Sequence, residues 1–404
     1  REGDVAEPQR EGTCEMRNGS REVVIVEAAR TPIGRGHKEK GYYKDVHPSN
    51  LLSKTYAELI DRAGIDPNEV EDVIAGCVQQ FGEQAFNIGR NAWLEAGLPM
   101  EVPATTIDRQ CGSAQQAVNF AAAQIGAGVL DCAVGSGVEH MGHISFAEGM
   151  KVQGEYGMAF TPELMAKYNL VPQGLSAEMI ADKWEIPRSE LDELAVRSHR
   201  LAHQATEEGR FERETIPFAV NGDTYVTDQG IRPGTDIETL AALKPAFKED
   251  GKVTAGNSSQ ISDGAAALVL ARRGWAEERG LDYLAVVGKA GQTAGPDNGL
   301  HAQPSDSLAE ALRLAGWEAS DLDFIEINEA FGAVAVKSLR DLDYPLEKCN
   351  IHGGAIALGH PIGCSGARLA LTAAMELSRR GSGKAGVSLC GGGGQGDALL
   401  LYRD

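Results

Sequence analysis

The chain repeats itself at one fixed distance. Cys111-Gly112-Ser113-Ala114 opens an alanine-rich apolar helix, followed by Gly126, Gly128 and the strand-like run Cys132-Ala133-Val134. Cys364-Ser365-Gly366-Ala367 opens a second such helix, followed by Gly381, Gly383 and Gly386-Val387-Ser388. From 111 to 364 and from 134 to 387 the offset is the same 253 residues. An offset kept across both a helix and a strand implies two halves of one fold. Both helices are too apolar for a surface position, which predicts that they pack buried between sheets.

Around the repeat, strand signals alternate with helical ones. Val23-Val24-Ile25-Val26 is a short β-branched run of the kind buried on both faces, closed by Arg30-Thr31-Pro32-Ile33-Gly34. A helical pattern starts at Pro48 and runs through Leu51, Leu52, Tyr56, Leu59 and Ile60, and the apolar run 70–77 follows it. Apolar runs recur at 265–270, 283–287, 324–327 and 386–389. Strands alternating with helices predict an α/β architecture. From about His140 to Asp250 the chain turns more charged and richer in Pro and Gly, with polar-faced helices such as 188–208. The expected organisation is a polar, disordered extension over 1–20 and an N-terminal half over 21–139 with 253–282. An inserted, more solvated domain over 140–252 and a C-terminal half over 283–404 complete it.

Bulk properties narrow the function. A formal net charge of −20 repels nucleic acid and anionic membrane surfaces, so neither is an expected partner, and an anionic ligand needs a local basic patch. The longest apolar stretches, such as 265–271, fall far below the ~18 residues that span a bilayer. Seven cysteines without paired CxxC spacing point to free thiols in a cytoplasmic setting, and no metal site is expected.

Four segments carry candidate chemistry. Cys111 sits where the run 102–107 turns through Asp108-Arg109-Gln110 into the first repeat helix, so the helix dipole and nearby amides are expected to lower its thiol pKa. Taken alone, it reads equally well as a buried structural cysteine. Asn328-Glu329-Ala330-Phe331-Gly332 follows the strand 324–327, at the strand end where α/β sites collect, although a capped turn accounts for it too. His360, between Gly359 and Pro361 and after the small residues 353–357, is a candidate general base. Cys390 and the glycine run 391–394 place a second thiol beside amides free to cradle an oxyanion or a phosphate; no GKS/T follows, which weakens a nucleotide-binding reading. The turn 256–264 either lines a ligand groove or is simply a turn. Together the segments make a covalent acyl-transfer kit of thiol nucleophile, histidine base, second thiol and amide donors.

Arg109-Gln110-Cys111-Gly112-Ser113, Asn328 to Gly332, Gly359-His360-Pro361 and Cys390 to Gly396 resemble, in order, the four signature segments of the thiolases, and the resemblance spans 21–403. It implies a five-layered α/β/α/β/α fold of two duplicated halves with an inserted CoA-binding loop domain. It further implies that Cys111 takes the acyl group, His360 activates that thiol and Cys390 exchanges the proton on the acetyl-CoA carbon. Asn328, through a water, and His360 would form one oxyanion hole, and the backbone amides of Cys111 and Gly392 the other. Ser259 would contact the pantetheine, Ala330 and Phe331 would line its tunnel, and Arg232 would face the adenosine end. Coenzyme A is then a co-substrate with no permanently bound cofactor, the partners are CoA and acyl-CoA, and the assembly is a homodimer or homotetramer.

The sequence departs from many thiolases at Gln173, where Gln173-Gly174-Leu175-Ser176-Ala177-Glu178 replaces a methionine that contacts the acyl-CoA. Asn257-Ser258-Ser259-Gln260 and Asn350-Ile351-His352-Gly353-Gly354 look more like the broad 3-oxoacyl-CoA thiolases of fatty-acid β-oxidation. A biosynthetic acetoacetyl-CoA thiolase is the alternative of the same class, and a non-catalytic CoA or lipid carrier that of another. A carrier of this kind usually loses a catalytic group, and a decarboxylating synthase usually carries histidine in place of the Asn328 segment.

Overall fold

A computed structural model describes residues 21–295, 297 and 302–404; the extension expected over 1–20 lies outside the described residues. The strands are β1 (Val23–Arg30), β2 (Gly34–Arg35), β3 (Asp72–Gly76), β4 (Ala104–Ile107), β5 (Cys132–His140), β6 (Phe218–Val220), β7 (Asp223–Tyr225) and β8 (Ser262–Arg272) in the first 272 residues. β9 (Ala285–Ala294), β10 (Phe324–Ile327), β11 (Gly383–Gly391) and β12 (Gln395–Arg403) follow.

The repeat reappears as one strand order used twice. In the first half the order is β1-β8-β5-β3-β4, in the second β9-β12-β11-β10. Each half runs antiparallel, antiparallel, then parallel. The parallel bridge of Ile325 to Cys349 stands beside β10 where β4 stands beside β3. A short antiparallel pairing of β1 with β9 joins the two half-sheets into one hydrogen-bonded path.

Helices fill the spaces around and between the half-sheets. α1 (Pro48–Ala63) and α2 (Ile88–Glu95) cover one outer face, where Leu51, Leu52, Tyr56, Leu59, Ile88 and Trp93 pack on Val24, Val73, Val134 and Val269. The two repeat helices, α3 (Ser113–Gly126) and α13 (Ser365–Arg380), lie between the half-sheets: Ala114, Ala117, Val118 and Ala121 share a core with Leu369, Ala370, Ala373, Val387 and Leu399. α10 (Pro304–Ala315) and α11 (Gly332–Asp341) cover the other outer face. This is the five-layered α/β/α/β/α arrangement. β8 shows how sequence encodes it: Ala265, Ala267, Val269 and Ala271 face the outer core and Ala266, Leu268 and Leu270 the central one, so the strand is apolar without a break from 265 to 271. α3 and α13 approach so closely that a Cβ on Gly366 would meet the Gln115 backbone at 2.3 Å, which only glycine permits.

Between β5 and β8 lie α4 (Phe146–Tyr156), α5 (Pro162–Lys167), α6 (Gln173–Lys183), α7 (Arg188–Glu207), the β6–β7 hairpin and α8 (Ile237–Ala241). α4 and α5 bury none of their residues, whereas α6 and α7 pack Ile180, Leu191 and Leu194 against α11 and β10. α9 (Arg273–Glu278) leads into the second half, and the single turn α12 (Ala355–Leu358) precedes His360. The strand read at 102–107 is shorter in the structure, starting at Ala104 after Pro103, and it lies half-buried at the end of the sheet path rather than in the core. Among the described residues no helix is long and apolar enough to cross a membrane.

Candidate active site

Cys111 stands on a clamped elbow between β4 and α3. Asp108 accepts a hydrogen bond from the Gln110 amide at 2.6 Å, and Gln110 takes a left-handed φ of 53°. Ser113 Oγ accepts from the Arg109 amide at 2.9 Å and donates to the Gln110 carbonyl at 2.6 Å. The turn therefore presents the thiol where the two halves meet, packed with Met141 and Ile362.

The imidazole arrives from the second half. Gly359, at φ 109°, ends α12 where a Cβ would strike Ser262 Oγ, and the His360 amide donates to that same oxygen at 3.1 Å. His360 Nδ1 lies 2.6 Å from Ser365 Oγ, which also bonds the Pro361 carbonyl at 3.0 Å. The serine has one proton, and the carbonyl can only accept. Nδ1 therefore carries the ring proton and donates it to Ser365, leaving Nε2 as the basic nitrogen. The Asn328 amide group lies 3.3 Å from Nε2 and its Oδ1 has no protein hydrogen-bond partner among the described residues.

Asn328 is held by its neighbours. Asn350 pairs with the Ile327 amide and carbonyl at 2.8 and 2.9 Å and donates to Glu329 at 2.8 Å. Glu329 also accepts from Ser198 and from the Ile356 amide, so its buried carboxylate is a brace linking α7, β10 and α12. Cys390 is the last residue but one of β11, and Gly393 and Gly394 both take left-handed φ in the turn to β12. This turn rests on the elbow: a Cβ on Gly391 would lie 3.2 Å from the Arg109 carbonyl and one on Gly392 3.0 Å from Gln110 Oε1.

Burial sets the electrostatics. Cys111 and Cys390 are each 3% exposed, His360 5% and Asn328 0%. Desolvation pushes the Cys111 thiol up to about 12, although Gln173 Nε2 lies 3.9 Å from its sulfur. This corrects the expectation of a dipole-lowered pKa: the loss of water outweighs the helix terminus. Cys390 is pushed higher still, first by burial and then by its proximity to Cys111. His360 is driven down to about 3 by burial and, secondarily, by Arg368. The proton therefore rests on sulfur: at rest Cys111 is a thiol and His360 a neutral imidazole. The expected outcome is that thiolate absorbance assigned to Cys111, by difference from Cys111→Ala, is absent at neutral pH and appears only in strong alkali. A thiolate titrating below pH 7 would contradict the burial argument.

Among the remaining sequence-predicted residues, Ser259, Ala330 and Phe331 are joined to one another. The Ser259 amide bonds the Ala330 carbonyl at 3.0 Å, Ser258 bridges Phe331, and Phe331 meets Phe247 edge-on at 5.9 Å. Phe247 in turn covers Gly174, next to Gln173 at the start of α6. Arg232 is exposed, its amide held by His199 Nδ1 at 3.1 Å. Sequence reasoning missed Ser365 and the buried carboxyls Glu139 and Asp263, both driven up to about 7 by desolvation. Ser365, five residues beyond His360 at a helix start, is the one with a usable signal. Among the described residues no group of His, Cys, Asp or Glu could hold a metal ion.

Comparison with known proteins agrees with this geometry. The profile for the thiolase N-terminal domain matches residues 23–274 and that for the thiolase C-terminal domain residues 281–403. A probable acetyl-CoA acetyltransferase of Mycolicibacterium smegmatis is 42% identical over 392 residues, covering 94% of this chain and 100% of that one. A 3-ketoacyl-CoA thiolase of Marinobacter nauticus is 42% identical over 395 residues, covering 95% and 98%. The crystal structure of a Bacillus anthracis acetyl-CoA acetyltransferase aligns with a TM-score of 0.85 at 37% identity, over 94% of this chain and 98% of that one. Matched in both halves and along nearly its whole length, the chain belongs to the thiolase family and is an acyltransferase.

Proposed function

We propose that the enzyme cleaves 3-oxoacyl-CoA with CoA, through an acyl group carried on Cys111, and that it accepts chains longer than acetoacetyl-CoA. The observation that supports the first part is a pair of buried thiols, Cys390 close to Cys111, together with a buried neutral imidazole whose unprotonated nitrogen is Nε2. His360 Nε2 removes the Cys111 proton as the sulfur attacks the 3-oxo carbon. The bond between C2 and C3 breaks, and Cys390 protonates C2 to release acetyl-CoA. The Cys390 thiolate recovers its proton from the His360 imidazolium; neutral His360 then takes the proton of incoming CoA, whose sulfur attacks the acyl-cysteine and releases the shortened acyl-CoA, and that proton passes from His360 to Cys111. The amides of Cys111 and Gly392 serve the tetrahedral oxyanion, and Asn328 with protonated His360 the enolate oxygen. Condensation is the same path reversed.

Chain length rests on a cavity of about 500 Å³ that opens beside Gln110, Gln173 and Gly392 and continues along Phe160, Met165, Leu170 and Val171. An apolar space of this size suits an aliphatic tail. In thiolysis assays across C4 to C16 substrates, kcat/KM is expected to rise beyond C4; a strict preference for acetoacetyl-CoA would sink this part alone. Residues 140–252 serve as the CoA-binding unit, with Ser259, Ala330 and Phe331 along the pantetheine and Arg232 towards the adenosine end. CoA is co-substrate only, and the free thiols fit a cytoplasmic enzyme. β4 ends the sheet path with Phe86 and Met100, 94% and 70% exposed, beside it, which supports a homodimer or homotetramer paired along that edge. Light scattering is expected to find at least a dimer; an active monomer would refute it.

A further inference from the structure

Asp397 is an acidic residue placed in a strand that runs on through Ala398, Leu399, Leu400 and Leu401. It lies on β12, wholly buried, paired across the ladders with Leu389 and Gln292. Its Oδ1 is 3.5 Å from Arg109 Nη1, and its Oδ2 has no hydrogen-bond partner among the described residues. That second oxygen stands against Gly112, where a Cβ would come within 2.2 Å of it. Burial raises the carboxyl to about 6, with Arg109 acting the other way, so it is mostly ionised at neutral pH. The neighbouring Gln292 and Gln116 bond each other, which leaves Arg109 as the counter-charge.

An ionised, half-satisfied carboxylate in a core strand destabilises the fold relative to an aliphatic residue. Its position gives that cost a use. Arg109 lies two residues before Cys111, and Asp397 follows the glycine turn 391–394 that supplies the Gly392 amide. The two donors proposed for the acyl oxyanion therefore come from different halves of the chain, and the Asp397–Arg109 pair is a direct tie between the segments that hold them.

We propose that Asp397 is a positioning residue, whose ion pair with Arg109 fixes the Cys111 elbow against the glycine turn and so sets the spacing of the Cys111 and Gly392 amides. The inference rests on the acyl-Cys111 chemistry proposed above. Donors fixed in advance act mainly on the rate of the chemical step and little on ground-state binding.

The test is the rate of Cys111 acetylation by acetyl-CoA, followed by quenched intact-protein mass spectrometry, in the wild type, Asp397→Asn, Arg109→Gln and the double variant. Each single change is expected to slow acetylation by about 10- to 100-fold, the range that small misplacements of catalytic groups produce, with KM little changed. The double variant is expected to be no slower than the slower single one, because both remove the same pair. Single variants that acetylate at the wild-type rate, or a double variant whose loss is the product of the two, overturn the inference. If Asp397→Asn does not fold, the half-exposed Arg109→Gln decides by its own rate and KM: a slowed rate at unchanged KM supports the pair, and an unchanged rate overturns it. A wild type that takes no acetyl group on Cys111 overturns the acyl-cysteine reading and this inference with it, whereas normal wild-type acetylation matched by every variant overturns this inference alone.

Discussion

Cys111→Ala is expected to lose thiolysis by several orders of magnitude while folding normally. The sulfur is the atom proposed to carry the acyl group, and alanine offers no substitute nucleophile. The elbow itself should survive, because its geometry comes from Asp108, Gln110 and Ser113 and not from the thiol. Removing a small buried sulfur leaves a minor cavity in a small apolar cluster with Met141, Ile362 and Val78, so the melting temperature should shift by a few degrees at most. A variant with near-normal turnover, measured as loss of the 3-oxoacyl-CoA enolate absorbance, would remove Cys111 from the reaction.

The second large effect is expected at Cys390. Cys390→Ala leaves Cys111, His360 and Ser365 untouched, so the base still takes the Cys111 proton, and only proton exchange at the C2 carbon is lost. Proton transfer by a positioned group is worth ~10²–10⁴-fold, which sets the expected fall in kcat for cleavage and condensation alike. Burial explains why no solvent group replaces it: the thiol is 3% exposed and its environment holds it protonated, ready to donate. Hydrogen–deuterium exchange at C2 of acetyl-CoA should vanish in this variant; unchanged exchange would assign the proton transfer elsewhere.

The repeat carried most of the fold in legible form, since an offset kept through helix and strand can only mean one topology used twice, and the shared strand order is that topology. Helix starts at Pro48 and Arg188 were legible because a proline in the first turn of one and at the cap of the other, with the apolar periodicity that follows, act locally. What stayed hidden depends on distant neighbours. The Cys111 pKa was misjudged because the helix start is visible in sequence, whereas the walls that exclude water come from Met141 and Ile362. Asp397, after a glycine turn, looks like part of a loop until β12 is seen to pair on both sides. The bond from His360 to Ser365 needed the turn through Pro361, and the cavity along Phe160 and Met165 needed the placement of α5, which buries nothing of its own, and of the chain on either side of it.

In the proposed reaction two buried thiols divide the labour, Cys111 carrying the acyl group and Cys390 the proton at C2. Intact-protein mass spectrometry after mixing with acetyl-CoA reads it directly, since acyl transfer to Cys111 needs the nucleophile and its base but not the second thiol. The wild type and Cys390→Ala should each gain one acetyl group, located on Cys111 by peptide mapping, and Cys111→Ala should gain none. An acetyl group on Cys111→Ala with none on Cys390→Ala, or equal labelling of the two variants, would contradict the assignment of nucleophile and proton donor.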